Sequence, residues 1–178
     1  MSVAVFLDRD GTIIEDTHYV KDPDTVKLLP NAVLGLKKMR EKGYLLFIVS
    51  NQSGVGRGII TSAQFKAVHR RVCDLLQAEQ VDIAEFCYCF HTPDEKCHCR
   101  KPQTGNLPKQ FQGESIDWAR SYTVGDRESD VELGIRMGGT GCWLKADVTA
   151  FPREGEKPYL VFRDLLEMAE FLPSVHPQ

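Results

Sequence analysis

Short apolar runs alternate along this chain with longer segments in which apolar residues recur every three or four positions. The runs Val3–Leu7, Tyr44–Ser50, Glu85–Cys89, Tyr122–Val124, Thr140–Leu144 and Tyr159–Val161 lack strict alternation, the pattern of strands covered on both faces. Asn31–Lys42 carries Val33, Leu36 and Met39 on one side and stops at Gly43, a helix followed by a C-terminal breaker. Thr61–Glu79 opens with Thr61-x-x-Gln64, a capping-box pattern. Its Phe65, Val68, Val72, Leu75 and Leu76 fall on one helical stripe. Ser129–Met137 and Asp164–Leu172 read as two further helices, and Leu107–Gly113 as a short one. Strand and helix in alternation predict an α/β fold, a doubly wound parallel sheet. Ligands of such sheets bind beyond the carboxyl ends of the strands, so the polar residues just after each apolar run are where chemistry is expected.

Composition narrows the class. A length of 178 residues fits one domain spanning the chain, with Pro173–Gln178 expected to fray. No run of about 18 apolar residues exists to cross a membrane. The N-terminus lacks the basic and apolar regions of a secretory signal. A cytoplasmic location follows as the expectation, and with it six cysteines that are free or metal-bound rather than paired. The net charge of −3, without a Lys/Arg run, argues against nucleic acid or an anionic membrane as partner. A monomer acting on a small molecule is expected.

The first run ends in Asp8-Arg9-Asp10-Gly11-Thr12. Two carboxylates two residues apart after a buried strand are costly unless a cation or proton shares their site. Asp10-Gly11 also reads as a simple turn. Other strand ends weigh against that bland reading. Val124-Gly125-Asp126-Arg127-x-x-Asp130 brings a second acidic cluster; Ser129 or Asp130 suits a helix cap, which leaves Asp126 without a structural task. Ser50-Asn51-Gln52-Ser53-Gly54 offers a hydroxyl and amides for phosphate oxygens, and Arg100-Lys101 offers two cations.

A third constellation is Cys89-x-His91, followed by Cys97-x-Cys99. Three thiolates and one imidazole within eleven positions suit tetrahedral zinc. With all four places filled by protein the metal is structural. It would clamp an irregular loop that leads directly into Arg100 and Lys101. Cys73, Cys87 and Cys142 read as ordinary packing residues.

Asp8-Arg9-Asp10-Gly11-Thr12, Ser50-Asn51-Gln52, Lys101 and Gly125-Asp126 resemble, in order, motifs I to IV of the haloacid dehalogenase (HAD) superfamily of phosphatases. The resemblance covers residue 5 to about residue 144. It implies a HAD-like, Rossmann-like fold and a magnesium-dependent phosphoric monoester hydrolase. Asp8 would be phosphorylated as nucleophile. Asp10 would act as general acid and then general base. Mg²⁺ would sit on the Asp8 and Asp126 carboxylates and the Asp10 backbone carbonyl. Ser50 and Lys101 would hold the transferring phosphoryl group. Asp130 is expected to cap or support the site rather than bind the ion. A general acid two residues after the nucleophile fits an ester leaving group and argues against a dehalogenase.

The stretch between Thr12 and Asn31 is too short for a separate cap domain, so loops must recognise the substrate. Phe6–Ile13, His18-Tyr19-Val20, Asn51–Gly58 and the Cys89–Pro102 block resemble the family of D-glycero-D-manno-heptose 1,7-bisphosphate 7-phosphatases, which makes a precursor of the lipopolysaccharide core. Substrate contacts implied by this resemblance are Arg9, Asp16, Thr17, His18, Tyr19, Asn51, Gln52, Ser53, Arg100 and Arg127. Arg57, Arg100 and Arg127 are further suited to a second anionic group. Gln103-Thr104-Gly105 departs from the family, in which a proline often precedes that glycine. Histidinol-phosphate phosphatases share the Asp motif and the zinc loop, and stand as the alternative substrate class. A DNA 3′-phosphatase shares the Asp motif, but no basic channel is evident. A zinc-stabilised binding module without turnover is the reading from a different class.

Overall fold

Each apolar run becomes a strand, and the first two feed two cores. In the computed structural model, which describes residues 1–145 and 159–175, strand β1 (Ala4–Leu7) sends Val5 and Leu7 into one apolar cluster and Ala4 and Phe6 into the other. Strand β2 (Leu45–Asn51) divides in the same way, Leu46 and Ile48 against Phe47 and Val49. Successive side chains of a strand point to opposite faces, so a run with no polar alternation must be covered on both.

Helix α1 (Ala32–Glu41) buries Leu36 and Met39 in the first cluster. The short α2 (Ser53–Gly56) follows β2 directly. Helix α3 (Ser62–Ala78) is capped at Thr61, whose Oγ1 accepts the Gln64 N–H while Gln64 Oε1 accepts the Thr61 N–H. Its Val68, Val72 and Leu76 are buried, and Leu75 packs beside them. Then come β3 (Glu85–Cys89), a small hairpin of β4 (Gln110–Phe111) and β5 (Glu114–Ser115), and β6 (Tyr122–Gly125). The chain closes with α4 (Glu128–Arg136), β7 (Thr140–Leu144), β8 (Leu160–Phe162) and α5 (Leu165–Phe171). Six strands form a parallel sheet in the order β3-β2-β1-β6-β7-β8. The chain winds outward from β1 through β2 and β3, then returns to β6 on the other side. This reversal opens a crevice at the carboxyl end of β1. Leu7 lies opposite both Ile48 and Val124, which places Asp8 between the ends of β2 and β6.

The expected α/β fold is thus present, with element ends displaced by about one residue, the usual uncertainty at fraying termini. One expectation fails. Leu107–Gly113 is no helix: Gln110 pairs with Ser115 and Phe111 with Glu114. Gln112 and Gly113 turn the hairpin with φ of 50° and 83°, the left-handed geometry of tight hairpins. Phe111 then packs edge-on against Phe47, 5.7 Å between ring centroids. The tail also differs from expectation as far as Val175: Tyr44 Oη donates to Pro173 O at 2.9 Å and Val175 N to Lys42 O at 2.8 Å. Residues 176–178 lie outside the described residues. Among the described residues, no helix is long and apolar enough to cross a membrane.

Candidate active site

Asp8 follows the buried β1, and its N–H donates to Val124 O at 2.9 Å. Its carboxylate is nearly enclosed, 7% exposed. Lys101 reaches it from the loop after the cysteine cluster: Lys101 Nζ lies 2.7 Å from Asp8 Oδ1 and 2.6 Å from Asp130 Oδ1, and donates to Val49 O at 2.6 Å. Burial alone would lower the Lys101 pKa, but Asp8 and Asp130 outweigh it and the net direction is upward. This buried ammonium is charged.

Three carboxylates converge here. One oxygen each of Asp8, Asp126 and Asp130 lies within 4.8 Å of the others. Asp130 is occupied: Lys101 takes one oxygen, and the Arg127 N–H donates to the other at 3.1 Å, which caps α4. Burial lifts Asp130 to about 6, with Lys101 opposing and Asp8 adding to the rise. Asp126 is not occupied. Its buried Oδ1 has no hydrogen-bond partner, and the nearest cation, Arg127 Nε, stands 3.8 Å away. Burial and then Asp8 raise its pKa. An orphaned carboxylate oxygen beside the nucleophile, inside a cluster with more negative than positive charge, fits a hard divalent cation. Gly11 makes room for it. The residue has φ of 77°, and a Cβ there would lie 2.4 Å from Asp126 Oδ2. Trp143, opposite Gly125 on β7, fixes the turn by donating Nε1 to Asp126 O at 3.0 Å.

Asp10 faces the same cleft. Burial raises its carboxyl above the ordinary range, Arg9 pulls it down, and Asp8 adds to the rise, which suits a group that must carry a proton in one half of a reaction. Gln52 Nε2 donates to Asp10 Oδ2 at 2.6 Å and to Ser50 Oγ at 3.0 Å. Asn51 brackets the Lys101 backbone: its Oδ1 accepts the Lys101 N–H at 2.9 Å and its Nδ2 donates to Lys101 O at 3.2 Å.

Asp8, Asp10, Ser50, Asn51, Gln52, Lys101 and Asp130 line a cleft of about 270 Å³ together with Asp16, His18, Tyr19, Val20, Ser53, Gly54, Arg100, Arg127 and Ser129. The Asp16–Val20 wall is tightly set. Asp16 Oδ1 accepts the His18 N–H at 2.9 Å, and Asp16 Oδ2 accepts Arg127 Nη2 at 3.0 Å across the mouth. His18 and Tyr19 both have left-handed backbones, φ 53° and 61°, a strained arrangement typical of ligand loops. Tyr19 lies flat on Gly54, where a Cβ would stand 2.6 Å from its ring.

Three expected contacts are placed elsewhere. Arg9 is 1% exposed and turned inward behind Asp10, because the guanidinium finds acceptors and aromatic rings there. Thr17 and Arg57 are exposed and do not line the cleft; the turn at Gly58, φ 68°, carries Arg57 on the outside. Asp130 caps α4 and holds Lys101, as its expected capping and supporting role requires, while Ser129 in the cleft lining and Trp143 as a support have no counterpart among the expected site residues. Asp130 was signalled by its place three residues after Arg127.

The cysteine–histidine cluster stands on the end of β3. Sulfur separations are 3.6 Å for Cys89–Cys97, 3.3 Å for Cys89–Cys99 and 3.4 Å for Cys97–Cys99. His91 Nδ1 is 3.6 Å from Cys89 Sγ and 3.2 Å from Cys99 Sγ. Tetrahedral zinc, with bonds of about 2.3 Å to sulfur, sets its sulfurs roughly 3.7 Å apart, so the four donors fit one ion. Arg100 Nη1 donates back to His91 O at 3.3 Å, which ties the loop to the lysine beside it.

The chain is similar to several known proteins. The profile of the family described as "Polynucleotide kinase 3 phosphatase" matches residues 2–136. A D-glycero-beta-D-manno-heptose-1,7-bisphosphate 7-phosphatase of Haemophilus ducreyi is 34% identical over 177 residues, 95% of this chain and 97% of that protein. A histidine biosynthesis bifunctional protein of Legionella pneumophila is 31% identical over 140 residues, 78% of this chain but 40% of that protein. The crystal structure of the D,D-heptose 1,7-bisphosphate phosphatase of B. bronchiseptica, complexed with magnesium and phosphate, superposes with a TM-score of 0.80 at 27% identity, covering 96% of this chain and 97% of that one.

Proposed function

Since this chain belongs to the HAD-type phosphatases, in the branch of the D-glycero-D-manno-heptose 1,7-bisphosphate 7-phosphatases, we propose that it removes the 7-phosphate of that sugar bisphosphate. The observation that carries the reading is the buried Lys101 between Asp8 and Asp130, beside the orphaned Asp126 oxygen, at the carboxyl end of β1. This is a site built to neutralise a dianion next to a carboxylate nucleophile.

The Asp8 carboxylate attacks phosphorus and the leaving ester oxygen takes a proton from Asp10. Water then attacks the phosphorylated Asp8 and gives its proton to Asp10, which releases inorganic phosphate. Lys101 Nζ and Ser50 Oγ hold phosphoryl oxygens through both steps. Asp8, Asp126 and the Asp10 carbonyl would hold Mg²⁺, which when bound supplies positive charge to the phosphoryl oxygens. Asp16, His18, Tyr19, Asn51, Gln52, Ser53, Arg100 and Arg127 surround the rest of the sugar. Arg100 and Arg127 are the cations for its second phosphate. Among the described residues no separate domain stands between Thr12 and Ala32, so these loops would set specificity. A monomer in the cytoplasm, serving lipopolysaccharide core precursor synthesis, completes the reading.

A substrate panel tests it. With Mg²⁺ present, kcat/KM is expected to be highest for the heptose bisphosphate, ahead of fructose 1,6-bisphosphate, histidinol phosphate and a 3′-phosphorylated oligonucleotide. The second reading, histidinol phosphate, has the Legionella relative behind it and wins if that ester leads. A leading oligonucleotide would favour the family profile's namesake.

The zinc clamp has its own measurement. Purified protein should contain about one equivalent of zinc, held by Cys89, His91, Cys97 and Cys99. Chelation followed by Mg²⁺ alone should leave Tm and turnover depressed, and added Zn²⁺ should restore both. Less than about half an equivalent in untreated protein dismisses the clamp.

A further inference from the structure

Arg9 separates Asp8 from Asp10 in sequence, yet it does not itself line the cleft and holds two residues that do. It donates Nε to Asp10 Oδ1 at 3.1 Å and Nη2 to both Asp10 oxygens at 3.0 Å. Nη2 also donates to Gln52 Oε1 at 3.1 Å, and Gln52 in turn holds Asp10 Oδ2. The guanidinium carbon lies 5.9 Å from the ring centroids of both Phe65 and Tyr88. Arginine is seldom fully buried without a paired charge, and this one is among the largest buried side chains in the protein. Its planar fork, packed on one side against the edge-to-face Phe65–Tyr88 pair (centroids 4.9 Å apart) and hydrogen-bonded to Asp10 and Gln52, has little freedom to rotate. The carboxylate it grips therefore has little freedom either.

We propose that Arg9 is a positioning residue: buried against the Phe65–Tyr88 ring pair and hydrogen-bonded to Gln52, it fixes the Asp10 carboxylate in the orientation that proton transfer needs. This rests on the phosphatase reading above. In the first half-reaction a bond forms from Asp8 oxygen to phosphorus, the ester P–O bond breaks, and the leaving oxygen takes the Asp10 proton. In the second, water oxygen bonds phosphorus, its proton passes to Asp10, and the bond to Asp8 breaks. An alkoxide leaves poorly without that proton, whereas p-nitrophenolate leaves without it. The second half-reaction needs Asp10 whatever the substrate was.

This difference provides the test. In Mg²⁺-loaded protein, Arg9→Met should lower kcat on a sugar phosphate about 100-fold with KM within about threefold. Release of p-nitrophenol from p-nitrophenyl phosphate in a single turnover should slow less than about fivefold. Steady-state turnover of that ester should still fall, so p-nitrophenol appears as a burst and acid quenching traps phosphorylated protein. Arg9→Lys should recover about tenfold of the loss. Tyr88→Leu keeps Arg9 but removes one of the two rings it packs against, and should give the same pattern with smaller amplitude even if Arg9→Met folds poorly. Equal slowing of both esters, or a raised KM with kcat unchanged, overturns the positioning role. A wild-type protein inert toward both esters overturns the phosphatase reading itself, and the proposal falls with it.

Discussion

Asp8→Asn abolishes turnover, by about 10⁴-fold or more, and leaves the protein folded. The amide keeps the size of the carboxylate but is far too weak a nucleophile to displace an ester oxygen. Its effect on stability follows from the charges around it. Asp8, Asp126 and Asp130 converge within 4.8 Å, and Lys101 contacts two of the three. Removing one negative charge loses the 2.7 Å pair with Lys101 but relieves repulsion on Asp126 and Asp130, both of whose pKa values are raised in part by Asp8. Lys101 keeps Asp130. Without Mg²⁺, therefore, Tm should stay level or rise. With Mg²⁺, the stabilisation seen in the wild type should shrink, because one ligand charge is gone. The measurements are kcat on the heptose bisphosphate and thermal melts with and without the ion. Turnover within tenfold of wild type would remove Asp8 from the role of nucleophile, and a melt that drops steeply in metal-free buffer would mean that the pair with Lys101 outweighs the repulsion.

The chemistry of this protein was more legible in the sequence than its supports were. Asp8, Asp10, Ser50, Lys101 and Asp126 stand immediately after buried strands or beside a metal-ligand cluster, so a local pattern points to them. The same holds for Cys89, His91, Cys97 and Cys99, since soft donors at such density have few other uses. Arg9 was read as a substrate contact because its direction is not set locally. Its partners Gln52, Phe65 and Tyr88 come from the junction of β2 and α2, from α3 and from β3, and nothing near Arg9 in the chain announces them. The hairpin was misread for a related reason. Leu107 and Phe111 have helical spacing, but a contact between Phe111 and Phe47 and a left-handed turn at Gln112-Gly113 decide otherwise. Tertiary packing overrides a weak local signal in so short a segment. Asn51 is a third case. Its sequence neighbours marked it for phosphate, while its amide is spent on the Lys101 backbone, a contact fifty positions away.

Lys101→Met should damage both activity and stability, which sets it apart from Asp8→Asn. On the activity side, a buried ammonium that meets the phosphoryl oxygens is removed, and kcat should fall about 10³-fold. On the stability side, Lys101 is 5% exposed and lies between Asp8 and Asp130, which are 7% and 2% exposed. Deleting one partner of a buried ion pair leaves uncompensated charge and costs about 3–5 kcal/mol. Two further comparisons assign the cause. Asp130→Asn placed on Lys101→Met should recover much of the lost stability, because it removes one of the two stranded carboxylates, and recover none of the turnover. The same Asp130→Asn in the wild-type background should change stability little, since it loses a 2.6 Å pair with Lys101 but relieves burial and repulsion from Asp8. The gain in the Lys101→Met background should thus exceed the effect of the single substitution, the signature of a direct charge contact. Additive effects in this double-mutant cycle, measured by urea unfolding, would mean that Lys101 and Asp130 are neighbours without mutual stabilisation, and that Asp8 alone holds the lysine in place.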